Sequence, residues 1–396
     1  MAIRRVLILS ASFGEGHRQA SRAIKEELLQ AYPDATAEIV DYMQSISPTW
    51  NKFAQFFYIQ GIKRAPLLYG FFYKQFNRIP SDSTLSRSMS KISLIIGGNL
   101  FLEYLNTFKP DVAIHTFPSS ASAHDTLLRE GKTRVPSITV ITDYAAHRQW
   151  IHPETSLYFV GAPKVADELI QEGVPQEKIR VTGIPVRQNF KQSYNREVLL
   201  KKHGLDAERP TVLLLAGAFG VSERIRELMA FLLDYPLPLQ VLIVTGRNRR
   251  LYEVMREQVE SHQAAGFEGS FHRVKVYGFV DYIAELMAVS DLVFTKSGGL
   301  TTSEAVAMGV PMILFKPIPG QEKANADFLS DAGVAFVTQT MEEMVRLFDR
   351  WMHDAHLRQQ TRANFVRLRR SMYQTTITKE LEQFLKSTRL KTLDYS

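Results

Sequence analysis

Short runs that are apolar at almost every position alternate along this chain with longer stretches whose apolar residues recur every three or four positions. The first half carries RVLILS, AEIVDY, DVAIHTF, SITVITD and LYFVGA, with a helix predicted from about His17 to Ala31. The second half carries TVLLLAG, QVLIVTG, VKVYGF, DLVFTKS, PMILFKP and VAFVTQ, with helices predicted from about Val221 and about Arg250. A strand that is apolar on both faces must be covered on both, as in a parallel sheet flanked by helices. The two series are separated near 185–210 by a polar stretch broken by Pro and Gly. The pattern predicts an α/β chain of two doubly wound, Rossmann-like domains facing each other across a cleft. The expected spans are 1–190 and 191–372, with a basic helical tail over 373–396 packing back on the first domain.

The length of 396 residues accommodates two such cores. An apolar fraction of 45% and a charged fraction of 22% are those of a globular protein. Cysteine is absent, which removes disulfides, a thiol nucleophile and a Cys-ligated zinc, and fits a reducing cytoplasm. The opening MAIRRVLILSASFG reads as a basic pair running into a strand, too short for a signal peptide. No apolar run reaches the ~18 residues that a membrane span needs. The formal charge of +7 suits an anionic surface or a nucleotide without choosing between them.

Candidate chemistry begins at TKSGGLTTSEA. Ser297, Gly298 and Gly299 lie between a strand end and a helix expected to start near Thr301. A helix start presents unpaired N–H groups and a partial positive charge, and glycine lets an anion reach them. The plainer alternative is a tight turn followed by a Thr301–Glu304 capping box. A second glycine turn, with Gly217 and Gly220, ends the first strand of the same half and adds weight to a phosphate ligand.

The segment TKSGGLTTSEAVAMGVPMILFKPIPGQEKANADF, over 295–328, resembles the donor-sugar segment of the monogalactosyldiacylglycerol synthase and processive diacylglycerol glucosyltransferase family. That family is a branch of the inverting GT-B enzymes, in glycosyltransferase family 28. The resemblance implies a GT-B fold and a UDP-sugar site. Backbone at Phe279 and Val280 would hold the uracil, and Glu304 would accept from the ribose. Ser297, Gly298, Gly299 and Thr301, with Gly217 and Gly220, would hold the diphosphate. Gln321 and Glu322 would read the sugar hydroxyls, with Asn325 in support. Arg247 and Asn248 also follow the family pattern, and read equally as a solvated basic helix start.

In the first half, LILSASFGEGHRQASRAIKEEL places Gly14, Gly16 and His17 at another strand-to-helix turn. As a dinucleotide fingerprint it has Asp41 about where a ribose-binding acid belongs, but Gln19 stands where the third glycine should be. The same turn opens the lipid glycosyltransferases. His17 is therefore read as the base that takes the acceptor proton, or as a polar helix cap. Asp143 and His147, in ITDYAAHRQW, also follow the family. Asp143 is expected to end a strand and to orient His17, to act as base itself, or to cap a helix; His147 is expected one helical turn on. His115, His124 and His152 fit no metal spacing and are read as structural or exposed. No Asp-x-Asp occurs, so no metal is required and backbone donors carry the leaving-group charge.

Between Asp41 and Asp82 there is no acidic residue, and the basic positions interleave with aromatics. Trp50, Phe53, Phe57, Lys63, Arg64, Phe72 and Lys74 belong to this stretch. An interfacial segment on anionic lipid has this composition; a helix buried between domains is the alternative, and nucleic acid fits less well.

The reading that follows is a peripheral protein of the cytoplasmic face of a bacterial cell membrane. It moves a hexose, first of all glucose, from UDP-hexose to diacylglycerol with inversion, once or repeatedly. No cofactor is expected besides the UDP-sugar co-substrate, and no nucleic-acid partner. The first domain would take the lipid and the membrane, the second the donor. Alternatives are UDP-galactose or UDP-GlcNAc with another lipid acceptor, and a UDP-sugar-sensing protein without turnover.

Overall fold

The computed structural model describes residues 3–11, 15–46, 100–216, 223–264 and 273–393. The chain divides into two compact units. One holds Met1–Gln188, Ile318–Ala324 and Arg370–Ser396; the other holds Asn189–Pro317 and Asn325–Arg369.

The first unit is built on six parallel strands: β1 (Arg5–Ser10), β2 (Thr36–Asp41), β3 (Val112–His115), β4 (Ser137–Val140), β5 (Thr155–Val160) and β6 (Ile179–Val181). Their order is β2-β1-β3-β4-β5-β6. Alternate side chains of each strand serve opposite faces. Val6, Ile8, Val112 and Ile114 pack with Ile24 and Leu28 of the Glu15–Ala31 helix and with Leu381 of the Ile377–Leu393 helix. Leu7, Leu9 and Ala113 pack on the other face with Ala123 and Leu127 of the Pro118–Arg129 helix. The doubly apolar strands are thus covered on both sides, as their composition requires.

The second unit repeats the plan with β7 (Thr211–Leu214), β8 (Gln240–Val244), β9 (Arg273–Tyr277), β10 (Leu292–Thr295), β11 (Met312–Phe315) and β12 (Ala335–Thr338). The order is β12-β11-β10-β7-β8-β9, again all parallel. Numbered from β7, this is the Rossmann order, and its direction reverses between β7 and β10. In the first unit the reversal falls between β1 and β3. In such sheets a crevice opens at the carboxyl ends of the strands flanking the reversal, because the two connections leave toward opposite faces.

Three local expectations change. The first helix starts at Glu15, not His17. The helix after β10 starts at Gly299 with Gly298 as its N-cap, so Thr301 is inside the first turn and forms no capping box with Glu304. Asp143 lies three residues beyond the end of β4 in a non-helical loop, and His147 precedes a single 3₁₀ turn, Arg148–Trp150. The two are therefore not spaced by a helical turn, and Asp143 neither ends the strand nor caps a helix.

Candidate active site

In the second unit the chain leaves β10 through Ser297, which is fully buried, and enters the Gly299–Met308 helix. Its N-cap residue, Gly298, makes no side-chain cap hydrogen bond. Thr302 Oγ1 donates to the Gly298 carbonyl at 2.9 Å and Ser303 Oγ donates to the Gly299 carbonyl at 2.6 Å. These two hydroxyls are thereby spent on carbonyls. The leading amides have no intrahelical acceptor at this end. Asn325, itself buried, donates from Nδ2 to the Ser297 carbonyl at 3.0 Å and fixes the loop. Thr301 is half-buried on the first turn, and Glu304 is buried on the same helix.

A second feature of this unit is a cleft of about 450 Å³ beyond β8 and β9, lined by Gly246, Arg247, Tyr277, Phe279, Val280 and Tyr282. Phe279 is 61% exposed, unusual for an aromatic ring. The Arg247 guanidinium carbon lies 4.9 Å from the centre of that ring. Asn248 Oδ1 accepts from the Leu251 N–H at 3.0 Å, so Asn248 caps the Arg249–Ala264 helix. Gly217 and Gly220 fall outside the described residues.

In the first unit, His17 sits in the first turn after β1, at the reversal of strand order, and is inside the helix, which excludes a capping role. Its carbonyl accepts from Ser21 Oγ at 2.9 Å, and the Ser21 and Thr116 hydroxyls are 3.0 Å apart in the interior. Its ring stands edge-on to Phe117, with centroids 5.5 Å apart. His17 Nδ1 is 3.4 Å from Thr142 Oγ1. Burial is the largest influence on this imidazole and lowers its pKa from the usual 6.5 to about 4, against a smaller opposing effect of the Thr116 backbone. His17 is neutral at neutral pH, the form that accepts a proton. A Cβ built on Gly16 would meet nothing within 4 Å, so open space adjoins the backbone there.

Gln321 belongs to Ile318–Ala324 and groups with this unit. Its Nε2 donates to Asp143 Oδ2 at 3.1 Å and lies 3.2 Å from His147 Nε2. Trp150 Nε1, which can only donate, is 3.1 Å from the same His147 Nε2. His147 Nε2 must therefore be an acceptor, and the proton of the neutral ring resides on Nδ1. Burial first, and the charge of His17 second, lower the His147 pKa to about 4. Asp143 is buried. Gln321 is thus engaged with Asp143 and His147, while Glu322 Oε2 accepts from the Ile318 N–H at 3.5 Å.

Gly14, Trp50, Phe53, Phe57, Lys63, Arg64, Phe72 and Lys74 lie outside the described residues. His115, His124 and His152 are all buried, which removes the exposed reading. His115 Nε2 is 2.9 Å from His124 Nδ1, and His115 Nδ1 is 3.0 Å from Ser120 Oγ. Among the described residues no group of three His, Asp or Glu side chains is arranged for a metal, and no helix is long and apolar enough to cross a membrane.

The sequence reading missed Ser21, Thr116, Phe117, Thr142 and Trp150. Ser21 was within reach, being one helical turn from His17. Thr116 and Phe117 come from just beyond the end of β3, about a hundred residues away, and no local pattern connects them to His17.

The monogalactosyldiacylglycerol (MGDG) synthase profile matches residues 17–186. The UDP-N-acetylglucosamine 2-epimerase profile matches residues 145–385. A processive diacylglycerol beta-glucosyltransferase of Staphylococcus carnosus (strain TM300) is 31% identical over 362 residues, covering 90% of this chain and 88% of that protein. Among solved structures, Acinetobacter baumannii MurG is similar with a TM-score of 0.62 at 15% identity, over 97% of this chain and 99% of that one. S. aureus MnaA, in a co-structure with UDP, is similar with a TM-score of 0.57 at 16% identity, over 96% and 94%. At such identities the structural likeness speaks for the fold, which is GT-B.

Proposed function

Because this chain belongs to the processive diacylglycerol β-glucosyltransferase family, we propose that it transfers glucose from UDP-glucose to diacylglycerol. On this reading the glycolipid formed serves as the acceptor for the next glucose. The observation that carries the reading is the helix start at Gly298–Gly299, whose N-cap residue brings no side-chain hydrogen bond to the leading amides. A diphosphate leaving from the anomeric carbon gains charge as its bond breaks, and fixed amide donors in a strand-end crevice stabilise that charge without a metal.

The chemistry is a single displacement. The acceptor oxygen gives its proton to neutral His17 and bonds to the anomeric carbon from the face opposite UDP. The bond from that carbon to the phosphate oxygen breaks, and UDP departs with the bonding pair. One displacement inverts the α-linked donor to a β-glucoside. Phe117 and Thr142 hold the His17 ring, and Asp143 and Gln321 form the adjoining polar wall. Phe279 and Val280 line the uracil cleft, with Arg247 at its edge. Glu304 serves the ribose, and Glu322 the sugar. The aromatic, acid-free segment between Asp41 and Asp82 seats the protein on the anionic cytoplasmic face of the membrane, as does the overall charge of +7. Neither a metal, another cofactor nor nucleic acid has a part in this reading.

Labelled UDP-glucose and diacylglycerol vesicles test it. Wild-type protein is expected to form glucosyl-diacylglycerol. His17→Ala is expected to lose at least about a hundredfold in rate and to keep its affinity for UDP. Full activity of that variant removes His17 from the mechanism. The epimerase profile over 145–385 motivates one competing reading, C2 epimerisation of UDP-N-acetylglucosamine. Conversion of that nucleotide sugar without any acceptor would support it. The similarity to the staphylococcal transferase over 90% of the chain favours transfer.

A further inference from the structure

At the carboxyl ends of β1 and β2 lies a hollow of about 310 Å³, lined by Ser10, Arg18, Arg22, Ile39, Asp41 and Gln44. Its volume is at the small end of ligand pockets. Ser10 and Asp41 end their strands and are register partners. Arg18 and Arg22 stand one turn apart on the helix whose first turn carries His17, and Arg18 is the next residue after it. Ser10 is 1% exposed, yet among the described residues its hydroxyl has no hydrogen-bond partner. A buried hydroxyl left unsatisfied is costly, and a ligand hydroxyl that reaches it removes that cost. The arginines are held only loosely, each with its nearest Glu15 oxygen at 3.9 Å. Asp41 Oδ1 accepts from the Gln44 N–H at 3.0 Å, which fixes the carboxylate at the rim.

The lining offers two guanidinium donors, an amide, a hydroxyl and a carboxylate. A phosphate would suit the arginines but would be repelled by Asp41. A neutral polyol uses both kinds of group, because each of its hydroxyls donates one hydrogen bond and accepts others. Resting on the transferase reading above, we propose that this hollow is the subsite for the sugar of a glycosylated acceptor. It holds the glucose of glucosyl-diacylglycerol so that one hydroxyl of that sugar meets His17. Diacylglycerol offers a single hydroxyl and needs no such guide, whereas the glycolipid offers several. In the second transfer the chosen sugar hydroxyl gives its proton to His17. Its oxygen bonds to the anomeric carbon of the incoming glucose, and UDP leaves with the bonding pair.

The test uses the full chain, labelled UDP-glucose, and vesicles containing either diacylglycerol or β-glucosyl-diacylglycerol as the sole acceptor. Arg22→Gln and Asp41→Asn are expected to act on diacylglycerol within about twofold of wild type. With glucosyl-diacylglycerol their kcat/KM is expected to fall at least about tenfold, mostly through KM, the loss of one hydrogen bond to a charged group. Arg22→Lys is expected to recover part of it. Arg18→Gln, at a half-buried surface position, repeats the measurement if Asp41→Asn melts early. Equal loss on both acceptors, or no loss on either, overturns the subsite. So does inorganic phosphate that competes equally with both acceptors, which would mark an anion site. A wild type that glucosylates diacylglycerol but not its product overturns the subsite alone; one that glucosylates neither takes the transferase reading with it.

Discussion

A methyl group built onto Gly298 would meet nothing closer than Lys296 Cε, at 3.7 Å, and the backbone there has φ −69° and ψ 136°, open to any residue. The fold therefore does not demand glycine at this position. The diphosphate proposed to press against these amides would, because a Cβ would stand in its way. Gly298→Ala is expected to melt at the wild-type temperature and to bind UDP at least about tenfold more weakly, which calorimetry reads directly. Unchanged UDP affinity would move the diphosphate away from this helix start. His17 shows the complementary case, in which side chains decide. Ser21 and Thr116 hold its backbone, Phe117 and Thr142 its ring, and burial keeps it neutral.

The C-terminal helix, Ile377–Leu393, illustrates what an element contributes. Ile377, Leu381 and Leu385 complete the core that β1, β3, β4 and β5 share with the first helix. Glu380 pairs with Arg180 Nε at 2.6 Å, and Thr378 donates to Glu27 through both its N–H, at 3.2 Å, and its hydroxyl, at 3.0 Å. Just before it, the Tyr373 ring lies against Gly183, whose φ of +75° already disfavours any other residue. Leu381→Ala is expected to destabilise the first unit by about 2–5 kcal/mol, the usual cost of an unfilled core cavity. Urea unfolding would register it as a lower midpoint with UDP affinity retained. A loss below about 0.5 kcal/mol would mean the helix only rests on the sheet. An apolar face at helical spacing made such packing foreseeable, but the face it would cover was not.

Over the whole molecule the ten histidines divide evenly between the two units, but burial bears on the five of the first. His17, His115, His124, His147 and His152 all belong to the first unit, and burial is the largest cause lowering each pKa, to about 4 for His17, His124 and His147. In the unfolded chain these rings titrate near 6.5. Below that pH the unfolded state binds protons that the folded state refuses, so stability falls as pH drops from 6.5 toward 4 and is complete above it. Each fully shifted ring contributes on the order of 1 kcal/mol of loss at pH 5.5. Calorimetric melting at pH 7.5 and 5.5 is expected to show the first unit's transition moving down more than the second's. Equal shifts, or an upward shift of the first, would contradict the burial of these rings.

Strand and helix types, the parallel character of both sheets and the glycine turn at 298–299 could be read from the sequence because they are local. Each rests on a short period, a propensity or a turn residue. The family was legible for a similar reason, since the PGQEKAN segment is contiguous. What surrounds His17 was not, because Thr116, Phe117 and Thr142 reach it from the loops after β3 and β4, and strand order is a long-range fact. The helix start after β10 was misplaced by two residues because Thr301 and Glu304 satisfy a capping pattern that tertiary structure did not use. The pairing of Gln321 with Asp143 joins residues 178 apart in sequence. Sequence alone settled which pieces this protein is made of. Only the folded chain decided which side chains meet, since the close packing that desolvates His17 and aligns the hydroxyls of Ser21 and Thr116 exists only once distant strands lie side by side.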